Sequence, residues 1–200
     1  MAVMKVVIVD YGTGNLRSIG NALERLGCSY ELSADPDVIR RADRVILPGV
    51  GNAADAMASL RAAGLEGVIR SLRKPVLGIC VGMQIMCRDS EEGGGVECMG
   101  IFDCSVRRFP DDPEAKVPHM GWNSLHNLDG KLFKGMEEGQ CVYFVHSYCP
   151  TLCCDTTSTC RHGSTMFSAS LKYENFQGTQ FHPEKSGDAG ERILANFLGL

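Results

Sequence analysis

The chain has 200 residues, 44% of them hydrophobic and 22% charged, which argues against disorder and predicts one domain, residues 1–200, with its own core. A net charge of −4 argues against a nucleic-acid surface, and no apolar run approaches the roughly 20 residues of a membrane span. Ten cysteines in a chain that needs no disulfide scaffold, with no secretory signal in residues 1–10, indicate reduced thiols in the cytoplasm.

Residues 4–79 alternate short β-branched runs with longer helical patterns, which is typical of βαβ units and a parallel sheet. Leucine and isoleucine recur at helical spacing from residue 15 to residue 26, just ahead of Gly27. Between residues 52 and 73, Gly64 and Gly67 interrupt an alanine- and leucine-rich run, so we expect two successive helices there. The strands expected in this half are residues 4–9, Arg44–Leu47 and Val76–Ile79.

The pattern changes at a glycine-rich loop, residues 91–95, beyond which short runs are separated by turn residues. Such spacing favours antiparallel strands, and a closing helix is expected at residues 189–198. We therefore expect an α/β fold with a central, mostly parallel sheet, helices on both faces and additional antiparallel strands in the C-terminal half. The later strand candidates are residues 105–109, 121–125, Cys141–His146, 156–160, 166–171 and 176–181.

Cys80 is the candidate nucleophile, because it lies between two glycines where a predicted strand runs into a predicted helix. Glycine–X–cysteine–X–glycine is the thiol version of the nucleophile elbow, a sharp turn that lifts the central side chain clear of the sheet. The N–H of Val81, the next residue, is a candidate donor to an oxyanion formed on a substrate carbonyl. Taken alone, a cysteine between glycines is equally well explained as a small buried residue.

His182, one of five histidines, is the candidate base for this thiol. It ends an apolar run and is followed by proline. Proline favours an extended conformation at His182, and residues i and i+2 of an extended chain point to the same side. Glu184 could therefore contact the imidazole and orient it towards a thiol. The alternative is a histidine at a strand end with a solvated glutamate nearby.

A second glycine-rich turn, residues 47–52, also follows a predicted strand. Its glycines would let the backbone approach a ligand, and the peptide N–H of Val50 or Gly51 could be the second oxyanion donor. A plain turn with Asn52 as the N-cap of the next helix explains the same residues.

Three motifs in this order resemble the class I, triad-type glutamine amidotransferases: PGVG at residues 48–51, GICVGMQ at 78–84 and FHPEKS at 181–186. Other segments resemble the members of that family that work as a separate chain beside a cyclase in histidine biosynthesis. These segments are DYGTGN at residues 10–15, Met83, VPHMGWN at 117–123 and YFVHSY at 143–148.

The resemblance implies a flavodoxin-like sandwich that hydrolyses glutamine to glutamate and ammonia and passes the ammonia to a (β/α)₈-barrel cyclase in a heterodimer. It implies no cofactor and no metal. Cys80 would attack the amide, His182 would transfer protons, and Glu184 would orient His182. By the family pattern, Val50, Gly51 and Val81 would form the oxyanion hole, Gln84, Glu92, Ser147 and Tyr148 would bind glutamine, and Asn15, Trp122 and Lys185 would lie near the partner.

Other readings stay open at this point. Cys149, Cys153, Cys154, Cys160 and His162 are enough ligands for a structural zinc, although their spacing lacks the paired units of zinc modules. The glycines at positions 12 and 14 are typical of a dinucleotide site, but arginine stands at position 17, where the third glycine is expected. The remaining alternatives are an inactive amidotransferase-like scaffold, a cysteine peptidase, and a glutaminase of the anthranilate or pyridoxal phosphate branches.

Overall fold

The computed structural model describes residues 4–113 and 115–199. Its centre is a seven-stranded sheet in the spatial order β11-β12-β13-β4-β3-β1-β2. The five strands from β13 to β2 run parallel, while β11 and β12 are antiparallel to their neighbours. The strands are β1 Val6–Val9, β2 Tyr30–Ser33, β3 Arg44–Leu47, β4 Val76–Ile79, β11 Thr156–His162, β12 Thr165–Tyr173 and β13 Phe176–Thr179.

The central strands β1 and β4 are buried at every position, so both faces of the sheet must be covered. Helices supply this cover, and the longest of them, α6, has 12 residues. None of the helices within the described ranges is long and apolar enough to cross a membrane. The helices are α1 Leu16–Arg25, α2 Pro36–Arg41, α3 Ala53–Ala62, α4 Glu66–Ser71, α5 Val81–Gln84 and α6 Gly187–Leu198.

Two smaller sheets lie between β4 and β11 in sequence. One has four strands in the order β10-β7-β5-β6, and the other is the antiparallel pair β8-β9. Their strands are β5 Asp89–Ser90, β6 Val96–Glu97, β7 Ser105–Arg108, β8 His119–Ser124, β9 Cys141–His146 and β10 Tyr148–Pro150.

The predicted fold class is confirmed, and β3, β4 and β9 have the bounds predicted from the sequence. Other details differ from the expectations. The strands β2, β5, β6 and β10 and the helix α2 were not predicted. Gly67 lies inside α4, so the break between α3 and α4 is residues 63–65, with Gly64 at its centre. The strand β13 is antiparallel to β12, as expected for the C-terminal half, but it is parallel to β4, with Gly178 opposite Gly78.

The glycine after the elbow, Gly82, is required by close packing between α5 and the end of β3. A Cβ built on Gly82 would overlap the carbonyl oxygen of Leu47, a backbone atom that cannot move aside. The main chains of the two loops that follow β3 and β4 can therefore approach each other only with glycine at this position.

We expect Gly82→Ala to lower the free energy of unfolding by about 1–3 kcal/mol, because the added methyl group forces a backbone shift. The matched control is Gly67→Ala, in the exposed part of α4, where a Cβ meets nothing within 4 Å. The control should stabilise the chain by about 0.5–1 kcal/mol, since alanine favours a helix over glycine. Urea unfolding of both variants measures the difference, and equal effects of the two substitutions would contradict the close-packing argument.

Candidate active site

Cys80 lies at the junction of β4 and α5 in a backbone conformation that is rare for a residue with a side chain, with φ 55° and ψ −113°. The conformation is held in place from β13, because the N–H of Cys80 donates to the carbonyl of Thr179 at 2.8 Å. Strain of this kind persists only where the surroundings fix the backbone, and it is concentrated at functional sites. The elbow predicted from the two glycines is therefore present.

His182 and Glu184 form a buried pair beside this elbow. The Nδ1 atom of His182 lies 2.8 Å from Oε1 of Glu184, and the two side chains are 3% and 1% exposed. The thiol of Cys80 is close enough to His182 to raise the pKa of its imidazole, and both residues line the same cavity. The three side chains thus make a chain of contacts from thiol to imidazole to carboxylate.

The pKa of His182 is raised to about 10. Burial opposes the charged imidazolium, but the hydrogen bonds and negative charges of Cys80 and Glu184 outweigh it. An imidazole with this pKa is protonated at neutral pH, so it can act as an acid towards a leaving amine.

A cavity of about 310 Å³ opens over Cys80 and His182. It brings together the three oxyanion candidates and the four glutamine-binding candidates of the sequence analysis. Its lining includes Val50, Gly51, Val81, Gln84, Glu92, Ser147 and Tyr148, with Lys185 at the same opening. Glu184 contacts His182 from outside this lining, and neither Asn15 nor Trp122 is part of it.

The loop that carries Val50 and Gly51 is fixed at both ends. At its start, the hydroxyl of Tyr11 donates to the carbonyl of Pro48 at 2.6 Å, and burial raises the pKa of Tyr11 to about 12. At its end, the side chain of Asn52 accepts from the N–H of Asp55 and caps α3, as the simpler sequence reading predicted. Val50 and Gly51, which lie between these ends, line the cavity.

Glu92 reaches the cavity from a short 3₁₀ turn, Glu92–Gly94, in the segment expected to be a loop. Its Oε2 atom accepts from the N–H of Ala53 at the start of α3, at 2.9 Å. Burial raises the pKa of this carboxyl, although the Ala53 hydrogen bond opposes the rise. The carboxylate is thus oriented by a helix end and lies in the lining of the cavity.

Two residues that the sequence analysis missed also belong to the site. Gln180 is fully buried, and its Nε2 donates to the sulfur of Cys80 at 3.7 Å. His146 lines the cavity and is bonded to the carbonyl of Tyr148 at 2.9 Å. A signal for Gln180 was available, since it stands two residues before His182 at the end of a strand and so points to the same side.

An exposed apolar surface adjoins the cavity. Met120 and Trp122, on β8, are 67% and 59% exposed, and Trp122 contacts Tyr143 edge-on with ring centroids 6.1 Å apart. The ammonium group of Lys185, from the cavity lining, lies 5.8 Å from the ring centroid of Tyr143. Asn15 immediately precedes α1 and makes no capping hydrogen bond with its side chain.

The cysteines and histidine considered as zinc ligands do not converge. No three histidine, cysteine, aspartate or glutamate side chains within residues 4–113 and 115–199 are arranged to hold a metal ion. Cys149 and Cys160 are buried, whereas Cys154 is exposed.

A cysteine elbow beside a buried histidine–carboxylate pair, at the carboxyl end of a parallel sheet, is the arrangement typical of enzymes that work through a cysteine nucleophile. The family model "Glutamine amidotransferase class-I" matches residues 7–199, and the chain therefore belongs to the class I glutamine amidotransferases. The predicted family is thus confirmed.

Within this family the chain is similar to curated proteins named "Imidazole glycerol phosphate synthase subunit HisH". It is 53% identical over 199 residues to the one from Bacteroides thetaiotaomicron, with 98% of this chain and 100% of the relative covered. It is 45% identical over 198 residues to the one from Escherichia coli K12, with the same coverage. The solved structure of PurLQS from Thermotoga maritima shares the fold, with a TM-score of 0.69, 19% identity and 99% of both chains covered.

Proposed function

We propose that this chain is the glutaminase subunit of imidazole glycerol phosphate synthase and works in the cytoplasm. The observation that carries the proposal is the contact chain Cys80–His182–Glu184 at a cavity large enough for glutamine. Full-length relatives at 45–53% identity bear that subunit's name, which supports the particular synthase.

In the first step, the thiolate of Cys80 attacks the side-chain amide carbon of glutamine, and the carbonyl becomes a tetrahedral oxyanion. The N–H of Val81 and a peptide N–H of the Val50–Gly51 segment stabilise that charge. The imidazolium of His182 then gives its proton to the amide nitrogen, the C–N bond breaks, and ammonia leaves with a γ-glutamyl thioester bound to Cys80.

In the second step, neutral His182 takes a proton from water, and the resulting hydroxide attacks the thioester carbon. The C–S bond breaks, and the product leaves as glutamate after its new carboxyl group loses a proton to solvent. The thiolate of Cys80 and the imidazolium of His182 are thereby restored. Glu184 stabilises the imidazolium and keeps the ring nitrogen that faces Cys80 free for proton transfer in both steps.

Other residues of the cavity lining hold the glutamine substrate by charge and hydrogen bonding. The carboxylate of Glu92 is the partner of the substrate's α-ammonium group, since its orientation by Ala53 directs it into the lining. Ser147 and Tyr148 offer a hydroxyl and main-chain groups next to it, and Gln84 fixes the Tyr148 carbonyl through a 2.8 Å hydrogen bond.

The partner is a cyclase with a (β/α)₈ barrel, which uses the ammonia to make imidazole glycerol phosphate and an aminoimidazole carboxamide ribotide. Asn15, Trp122 and Lys185 contribute to its docking surface. The exposure of Trp122 and Met120 beside the cavity supports this placement, because exposed aromatic residues next to a functional opening are typical of interfaces.

The deciding experiment mixes this chain with the cyclase from the same genome and measures glutamine-dependent synthesis of imidazole glycerol phosphate. We expect the isolated chain to hydrolyse glutamine slowly and the cyclase with its nucleotide ligand to stimulate it. Full glutaminase activity in the isolated chain would contradict the expected stimulation. Ammonia release without synthesis in the mixture would assign the glutaminase to a different synthase.

We expect Trp122→Ala to weaken the complex with the cyclase by about 30-fold, as removal of an aromatic hot-spot residue does. The matched control is Tyr173→Ala, which removes another exposed aromatic side chain outside the cavity lining. Titration calorimetry measures both dissociation constants. Equal affinities of the two variants would contradict docking at Trp122.

A further inference from the structure

The carbonyl oxygen of Tyr148 accepts two hydrogen bonds, one from Nε2 of Gln84 at 2.8 Å and one from Nδ1 of His146 at 2.9 Å. A carbonyl oxygen can only accept. Both neighbours must therefore donate, so the amide orientation of Gln84 and the position of the proton on His146 are fixed by this one atom.

On the side of the nucleophile, the same Nε2 of Gln84 also donates to Oε1 of Gln180 at 3.0 Å. The amide of Gln180 consequently presents its oxygen to Gln84 and its Nε2 to the sulfur of Cys80, 3.7 Å away. Gln84 is 2% exposed and Gln180 is fully buried, so no bulk water competes for these contacts. Gln180 can only donate to the sulfur.

On the opposite side, Nε2 of His146 accepts from Nδ1 of His119 at 3.0 Å, and Nε2 of His119 lies 3.1 Å from Nδ2 of Asn123. Each donor in this branch points towards Tyr148: Asn123 donates to His119, and His119 donates to His146. His146 in turn donates to the Tyr148 carbonyl. Burial lowers the pKa of His146 to about 3 and that of His119 to about 4, with neighbouring histidines adding to both effects. Both imidazole rings therefore stay neutral, and each hydrogen bond in this branch keeps the same donor and acceptor at neutral and alkaline pH.

We propose that Gln180 is a further catalytic residue, one that donates a hydrogen bond to the sulfur of Cys80 and favours its thiolate form. A thiolate accepts such a bond better than a thiol does. The thiol proton passes to the nitrogen of His182 that faces the sulfur, giving the thiolate and the imidazolium, and no other bond changes. The inference rests on the proposed function in that this thiolate is the form that attacks glutamine.

Other ionisable groups act on the same sulfur and stay in place when Gln180 is changed. His182, with Glu184 on the other side of its ring, and the phenol of Tyr11 both interact electrostatically with this sulfur. Glu92, His146 and Lys185 line the same cavity. A change in the reactivity of Cys80 in a Gln180 variant thus reports on the removed donor.

The test replaces Gln180 with methionine, which has a similar length and no donor. Iodoacetamide labels Cys80, and mass spectrometry of its peptide gives the rate between pH 5 and 10 separately from the other nine cysteines. We expect the labelling rate to fall about tenfold at pH values where the thiol form predominates, and the whole labelling profile to move to higher pH. The kcat for glutamine should fall by a similar factor in the same pH range, with little change in KM.

Gln177→Met is the matched control, since Gln177 lies in β13 of the same segment and is not in the cavity lining. Gln180→Asn keeps a polar amide but is one methylene too short to reach the sulfur, so it should give the same shift with less disturbance of packing. Thermal melts show which variants are folded. An unchanged labelling profile in a folded Gln180 variant would overturn the proposal.

Labelling does not require glutamine turnover, which separates this inference from the proposed function. If the wild-type chain with its cyclase fails to hydrolyse glutamine, the proposed function fails. The labelling profiles then still decide whether Gln180 controls the sulfur.

Discussion

Cys80→Ser is expected to reduce glutamine hydrolysis by at least about 10³-fold, because it removes the nucleophile and a serine hydroxyl cannot replace a thiolate in this setting. The folded state should be retained. Cys80 is nearly fully buried, serine is close to it in size, and the N–H that fixes the elbow to Thr179 belongs to the backbone. Ammonia release with and without the cyclase measures the loss, and thermal melting measures the stability.

The matched control is Cys154→Ser, which makes the same change at an exposed cysteine outside the cavity lining and should leave ammonia release unchanged. A glutamine analogue with an electrophilic side chain should label the wild-type chain on Cys80 and leave Cys80→Ser unlabelled. Near-normal ammonia release from Cys80→Ser would rule out the thioester mechanism.

The elbow and the His182–Glu184 pair were predictable from the sequence because each depends on a few adjacent residues. Two glycines around Cys80 signal a sharp turn, and a proline after His182 signals an extended backbone. The meeting of the two segments depends on the pairing of β13 with β4, which places Thr179 beside Ile79. No local pattern encodes that pairing.

The strand β2 and the helix α2 were also missed because local sequence patterns did not mark them as a strand and a helix. The strand β2 lies at the edge of the sheet, and its alternating sequence, YELS, is only four residues long with no fully buried position. The helix α2 has six residues and only one fully buried side chain, Ile39, so helical periodicity could not be recognised. Its start was nevertheless marked, since Asp35 caps the helix and Pro36 occupies its first position.

The polar network behind Cys80 could not be predicted from sequence, because its members come from four distant segments. Gln84 and His146 bond to one main-chain oxygen, that of Tyr148, while Gln180 bonds to Gln84 and His119 bonds to His146. Side-chain chemistry gives the number of donors and acceptors of each residue, but the direction of each hydrogen bond follows only from the geometry around that oxygen.

Glu184→Gln is expected to lower kcat by roughly 10²- to 10⁴-fold, because the amide keeps the shape of the carboxylate but loses the charge that stabilises the imidazolium of His182. The other carboxylate oxygen, Oε2, is buried without a hydrogen-bond partner among residues 4–113 and 115–199. The 2.8 Å contact with His182 is thus the one through which this charge acts. The same substitution at the exposed His126–Glu138 pair, Glu138→Gln, is the matched control and should leave kcat unchanged.

The pH dependence distinguishes the charge of Glu184 from its packing. The pKa of His182 in the folded chain is about 10 and its ordinary value is 6.5, so the stabilisation by its charged form is complete below about pH 6.5 and is lost as the pH rises towards 10. The difference in unfolding free energy between wild type and Glu184→Gln should therefore be largest near pH 6.5 and shrink towards pH 10. NMR titration of the imidazole should show a lower midpoint for His182 in the variant. An unchanged midpoint together with a pH-independent difference in stability would mean that Glu184 acts through shape alone.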